Sequence, residues 1–228
     1  LRPDVVVNFY DTLGTNAFNL SRTDAPMVCI GHQFLFKHPD FKFPTFGYEG
    51  HVALNMFSDM ISLRAARILA LSFRNMPADG RIHVVPPLLR PEVKELAAGV
   101  VRQDGPIHGY LLNAGFAEDV RDWHSRHPEV PLSFFWDRPD EYVDSTLSFH
   151  TLDDKAFLEG LAGCRAYAST AGFESVCEAM YLGKPLLMVP SHIEQKCNAF
   201  DATNSAYWHK YWCLNQTMVG ADFARASS

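Results

Sequence analysis

Apolar positions along this chain alternate between two periods. Short continuous runs of β-branched and aromatic residues read as strands, and segments with apolar residues three and four apart read as helices. Val5 to Phe9 is continuous and β-branched, the pattern of a strand buried on both faces. Met27 to Ile30 is a second strand, ended by Gly31. Met56 to Ala66 reads as a helix, with Met56, Met60, Ile61 and Leu63 at helical spacing. Ile68 to Phe73 and Arg81 to Val85 follow as strands, the latter stopped by Pro86-Pro87.

Three prolines in Pro86-Pro87-Leu88-Leu89-Arg90-Pro91 exclude a helix interior or a central strand and mark a linker. The alternation then resumes. Strands are expected at Ile107–Leu112, Pro131–Trp136, Ser148–Thr151, Ala166–Ser169 and Pro185–Val189. Helices are expected at Ala117–His127, Lys155–Leu161 (capped by Asp153 or Asp154), Phe173–Leu182 and Glu194–Tyr207. Strand–helix–strand order on both sides of a linker implies an α/β protein with parallel sheets. Ligands of such folds bind beyond the carboxyl ends of the strands. The chemistry should follow Ile30, Leu112, Trp136, Ser169 and Val189.

Composition narrows this picture. With 228 residues, 47% of them hydrophobic, the chain can bury one large core or two small ones. A net charge of −6 and the lack of a basic stripe argue against nucleic acid as a partner. No apolar run approaches the roughly 18 residues that a membrane span needs, and no signal-peptide pattern opens the chain. A cytoplasmic location is therefore expected. The five cysteines, Cys29, Cys164, Cys177, Cys197 and Cys213, are widely spaced and form no C-x-x-C pair, which reads as reduced core thiols. No metal site can be assembled from the dispersed histidines.

Ser169-Thr170-Ala171-Gly172 follows a strand and opens a helix, so helix N–H groups and the positive dipole end reach the sheet edge. Gly172 allows close approach to the backbone, and Ser169, Thr170 and Ser175 add hydroxyls suited to phosphate oxygens. Phe173, Val176, Cys177 and Met180 form the buried stripe of that helix. Ser175 and Glu178 lie on another face, where a carboxylate can accept two hydrogen bonds from a vicinal diol such as ribose. Beyond the next strand, His192, Glu194, Gln195 and Asn198 crowd together. A carboxylate beside an amide suits sugar hydroxyls, which donate and accept together. Taken singly, each of these residues is as readily a helix cap or a solvated side chain.

The ordered set Ser169-Thr170-x-Gly172-x-x-Ser175-x-x-Glu178, Gly183-x-Pro185, Pro190 and Glu194-Gln195 resembles the nucleotide-sugar motif of GT-B glycosyltransferases. It is similar to the donor half of UDP-glucuronosyltransferases, plant glycosyltransferases and the MurG-type N-acetylglucosaminyltransferases. Gly31-His32-Gln33 and Tyr110-Leu111-Leu112-Asn113 extend the likeness to bacterial GT-B enzymes. The resemblance implies two Rossmann-like domains: a partial acceptor-side domain over 1–89 and a donor-binding domain over 90–228. It implies a nucleotide-diphospho-sugar, UDP-linked by expectation, as donor, with no cofactor or metal. Asn113, Ser169, Thr170, Gly172 and Ser175 would hold the diphosphate and Glu178 the ribose. Phe149 and His150 would hold the base, and His192, Glu194, Gln195 and Asn198 the sugar. Many relatives carry His where this chain has Ser169 and Thr170, so hydroxyls and the helix dipole take that place.

His32, after a strand, is a candidate base for an acceptor hydroxyl or a structural histidine. Asp11 reads as a helix cap or a residue of the acceptor cleft. The aromatic run Phe34, Phe36, Phe41, Phe43, Phe46 and Tyr48 is either a packed loop or an apolar rim for a lipid-linked acceptor at the inner membrane face. Two other functions remain open: a UDP-sugar 2-epimerase, and a non-catalytic nucleotide-sugar binding module. A dehydrogenase is disfavoured because no G-x-G-x-x-G follows a strand.

Overall fold

The computed structural model describes residues 2–21, 23–44, 48–99, 103–111, 115–204 and 211–213. They divide into two compact units, residues 1–88 and 89–228.

In the first unit β1 (Val6–Asn8), β2 (Met27–Gly31), β3 (Ala65–Leu71) and β4 (Ile82–Val85) form a parallel sheet in the order β1-β2-β3-β4. Helices α1 (Thr12–Leu20) and α2 (Tyr48–Ile61) make the crossovers, with a 3-10 turn at His32–Lys37. Asp11 caps α1 by accepting from the Gly14 N–H, which settles its structural role.

Three readings are decided here for physical reasons. First, β1 is the edge strand. Val5 and Val7 are about half exposed, and the buried residue is Asn8, which donates to Asp11 O and Thr15 Oγ1, both at 2.8 Å. Second, α2 starts eight residues earlier than its apolar spacing suggested. Met56, Met60 and Leu63 are exposed and Ile61 is buried; Ala65 already belongs to β3. Third, Phe34, Phe36 and Phe41 are buried, with Phe36 and Phe41 rings 5.0 Å apart. These three are core residues, in keeping with the packed-loop alternative for the run. Phe46 lies outside the described residues.

The second unit opens with α3 (Pro91–Ala98), which the linker reading missed. Pro91 occupies the first helical position, where its missing N–H costs nothing. Next come β5 (Ile107–Tyr110), α4 (Gly115–Arg126), β6 (Leu132–Trp136), β7 (Glu141–Tyr142), β8 (Leu147–Thr151) and α5 (Asp154–Gly163). They are followed by β9 (Ala166–Ser169), α6 (Phe173–Tyr181), β10 (Leu186–Met188), α7 (Ile193–Asn204) and β11 (Tyr211–Cys213). The sheet order is β11-β10-β9-β5-β6-β8-β7, parallel except for β7 against β8.

On one face Leu132, Phe134, Trp136 and Phe149 join Val120 and Trp123 of α4 in the core. On the other, the buried His108 ring lies 4.9 Å from Phe157 of α5 and 5.3 Å from Phe135. Asp153 caps α5, accepting from Ala156 N–H at 2.8 Å. Lys184, fully buried, donates to the Ala162 and Cys164 carbonyls at 2.7 and 2.9 Å, satisfying acceptors at the end of α5. Its burial is structural and lowers its ammonium pKa. Cys29, Cys164, Cys177 and Cys197 are unpaired and buried, and burial pushes the Cys29 and Cys164 thiols up to about 11.

Chain order places the site. From β5 the chain runs outward through β6 and β8, then returns to lay β9 on the other side of β5 and continues to β10 and β11. The sense of winding reverses between β5 and β9, and the crevice beyond their carboxyl ends is where an open α/β sheet takes a ligand.

Candidate functional site

Beyond β9 the chain turns sharply into α6. Ala171 takes a left-handed conformation, φ 63°, which costs a non-glycine residue about 1 kcal/mol or more. Surrounding side chains hold it there. Ser169 Oγ accepts from the Ala171 N–H at 3.1 Å, and Asn198 Nδ2 donates to the Ala171 carbonyl at 3.1 Å. Gln195 Nε2 donates to Thr170 Oγ1 at 3.3 Å, and its Oε1 accepts from Ser191 N and Oγ at 2.9 and 2.7 Å. A strained turn fixed by a buried polar network is a common mark of a binding site.

The helix that follows has no side-chain cap at Gly172. The first N–H groups of a helix lack intrahelical partners, and the dipole end attracts anions. A Cβ on Gly172 would come no closer than 3.7 Å to Ser175 Oγ. Packing within the protein therefore does not require glycine here. Ser175 Oγ donates to Gly172 O at 3.3 Å and is half-buried. A cavity of about 270 Å³ opens at the β5–β9 crevice, lined by Tyr110, Leu111, Phe116, Trp123, Ser169, Thr170 and Val189 among others. A larger groove, about 710 Å³, runs between α3 and α5. Its wall carries Glu92, Glu95, Asp154 and Glu159 against Arg90 and Lys155; carboxylates outnumber cations two to one, which disfavours a diphosphate, so the crevice is the better anion site.

The residues singled out in the sequence separate into groups. Ser169, Thr170, Gly172 and Ser175 come together at the turn. Asn113 lies outside the described residues. Asn198 is 2% exposed and bonded to backbone, so it braces the turn; a sugar contact is corrected to that role. Gln195 is likewise buried, with both ends of its amide engaged. His192 is exposed and Glu194 half-buried at the start of α7. Phe149 is fully buried, stacked on Trp136 at 4.7 Å and beneath the Arg121 guanidinium. It is a core residue, and the expected base contact of its side chain is withdrawn. His150, its neighbour, points to the opposite face as strand alternation demands. It is half-buried, with Nε2 2.9 Å from Ser148 Oγ. His32 sits half-buried in the first unit, its ring edge-on to Phe36 at 6.1 Å.

Glu178 differs most from expectation. Its side chain is 4% exposed, and both carboxylate oxygens accept from Arg90, at 2.6 and 2.7 Å. Arg90 gave no signal in the sequence: it stands 88 positions away in a proline-rich stretch. Pairing with Glu178 raises the Arg90 pKa further.

One other cluster imitates a catalytic array. His124 Nε2 lies 3.0 Å from Asp144 Oδ2 and 3.3 Å from Thr146 Oγ1. It precedes β8, at the opposite edge of the sheet. The other oxygen of Asp144 caps the turn into the strand, accepting from the Thr146 and Leu147 N–H groups at 2.7 and 2.8 Å. Those bonds hold its pKa well below the usual carboxylate range.

A sequence profile described as glycosyl transferase family 1 matches residues 1–223. No curated protein sequence matches the chain. Among solved structures, the glycotransferase of kitacinnamycin is similar over 99% of this chain and 66% of its own, at 16% identity and a TM-score of 0.59. MurG of Acinetobacter baumannii is similar over 99% and 65%, at 14% identity and 0.55. UGT2 of Phytolacca americana, solved with UDP-2-fluoro-glucose and pterostilbene, is similar over 95% and 62%, at 14% identity and 0.58. The chain thus spans just under two thirds of the length of these structures. The likeness bears out the expected GT-B type of α/β fold.

Proposed function

Since the chain belongs to glycosyl transferase family 1, we propose that its second unit binds a nucleotide-diphospho-sugar and serves transfer of the sugar to an acceptor hydroxyl. The observation that carries this reading is the strained Ser169–Gly172 turn opening α6 without a side-chain cap, at the β5–β9 crevice. In the transfer, the acceptor oxygen bonds to the anomeric carbon as the bond from that carbon to the diphosphate oxygen breaks. Negative charge grows on the leaving diphosphate. Helix N–H groups and the Thr170 hydroxyl are preorganised to receive it, and the Ser175 hydroxyl joins them by turning from the Gly172 carbonyl. His150 serves the base, Glu178 the ribose end, and His192 and Glu194 the sugar. His32 takes the acceptor proton. UDP is the favoured nucleotide, in keeping with the UDP-sugar in the P. americana structure.

Calorimetric titration with UDP, GDP, TDP and ADP, followed by release of the diphosphate from the matching sugar donor, tests the proposal. Saturable binding of one nucleotide, and turnover lowered in His32→Gln at unchanged nucleotide affinity, is expected. No binding of any of the four would refute the donor site. Binding with conversion of the sugar but no diphosphate release would favour an epimerase.

A further inference from the structure

Tyr167, in β9, is fully buried, and its hydroxyl has no hydrogen-bond partner within the protein. Its ring packs 6.1 Å from Phe157 and 6.0 Å from His108. Side chains two apart on a strand share a face, so Tyr167 points with Ser169, and its hydroxyl faces those of Ser169 and Ser175. Burial raises its pKa, so the phenol keeps its proton and remains a donor without an acceptor. A phenylalanine would fill the same space without the cost of a buried, unmatched hydroxyl.

Of its two neighbours, Ser169 is already held by the turn through the Ala171 N–H. Ser175 is held loosely. Its Oγ donates to Gly172 O at 3.3 Å, beyond the usual O–H···O range of about 2.5–3.0 Å. That carbonyl also accepts from the Val176 N–H at 3.1 Å, so it keeps a donor when Ser175 turns away. Ser175 is the third residue of α6, among the first N–H groups that lack intrahelical partners. A serine hydroxyl has one proton and two lone pairs. Turned toward a phosphate oxygen, it gives that proton and opens a lone pair to Tyr167. A hydroxyl that accepts one hydrogen bond donates the other more strongly.

We infer that Tyr167 is a positioning residue of the anion site: its hydroxyl donates to Ser175 Oγ once Ser175 turns to give its own proton to a phosphate oxygen. This rests on the donor reading above and adds to it a group that touches no ligand. The unmatched phenol finds its acceptor only in the loaded site, so the relief of its burial cost counts toward binding. Stability of the empty chain and affinity for the diphosphate therefore respond in opposite ways to removal of this one oxygen.

The test is a cycle of Tyr167→Phe, Ser175→Ala and the double variant, each melted without ligand and titrated with UDP and with uridine, or with the matching pair if the panel selects another base. Tyr167→Phe should melt no lower than wild type, yet bind UDP about fivefold more weakly, the worth of one hydrogen bond. Its affinity for uridine, which has no phosphate, should be unchanged. In the Ser175→Ala background the same substitution should cost nothing further, because the two hydroxyls act as a unit. Three results each overturn the inference: a lower melting temperature in ligand-free Tyr167→Phe, unchanged UDP affinity in that variant, or an equal loss from Tyr167→Phe with and without Ser175. In all three, UDP binding by wild type leaves the donor reading standing. A wild-type chain that binds no nucleoside diphosphate removes both.

Discussion

Gln195 and Asn198 show how a correct motif can hide the work of its members. A carboxylate–amide cluster after a strand invites a sugar-binding reading, yet these two amides face inward and hold the turn that precedes α6. A sugar contact by Gln195 implies that Gln195→Ala spares nucleotide binding and weakens only the sugar. Its bond to Thr170 changes that: affinity for UDP and for the UDP-sugar should fall together. Asn198→Ala leaves the buried Ala171 carbonyl without its donor, a cost of about 1–3 kcal/mol, and should lower both thermal stability and UDP affinity. Paired titrations and melts check this; loss of sugar affinity alone in either variant would return the residue to the sugar. Phe149 and His150 teach the same lesson in a strand. The sequence shows that an aromatic and a histidine sit side by side, but not which one faces the core. Arg90 was invisible for a different reason, since nothing in a local pattern announces a partner 88 positions distant.

Elements were more legible than the roles of their side chains. Strands and helices from Ile107 to Met188 follow the predicted alternation within a few residues, because buried parallel strands are apolar throughout and helices between them keep their stripe. The misses fall where that signal weakens. Helix α1 has an exposed Leu13 and Leu20 and little stripe; α3 begins at a proline; the methionines of α2 mark its exposed face. Packing between elements explains one residue that propensity disfavours. Gly160 sits inside α5, where glycine costs about 1 kcal/mol against alanine. A Cβ there would lie 2.7 Å from the His108 ring. Gly160→Ala should therefore lower the melting temperature rather than raise it, at a cost of about 1–3 kcal/mol from overpacking. A stabilised variant would contradict this packing.

The same histidine sets a pH dependence. Burial pushes the His108 pKa from 6.5 down to about 3. Above pH 6.5 the ring is neutral in the folded and unfolded chain, and its titration has no effect on stability. Between 6.5 and 3 the unfolded chain binds a proton that the fold refuses, so stability falls with pH, by up to ~1.4 kcal/mol per unit. Denaturant melts of wild type and His108→Leu across pH 4–7 should show a shallower decline in the variant. Parallel declines would mean that His108 is protonated without unfolding.

At the scale of the molecule, the α/β class, the parallel sheets and the GT-B likeness were readable from strand–helix alternation and one motif. The reversal of winding between β5 and β9 was not, since strand order depends on pairings that alternation leaves open. That reversal gives the account its centre: an anion site at the α6 N-terminus. Amide chemical-shift mapping of the labelled protein during UDP titration tests it most directly. The largest saturable shifts should fall on the amides from Gly172 to Ser175, with smaller ones at His150. Saturable shifts confined to the α3–α5 groove, with the α6 N-terminus unmoved, would contradict it.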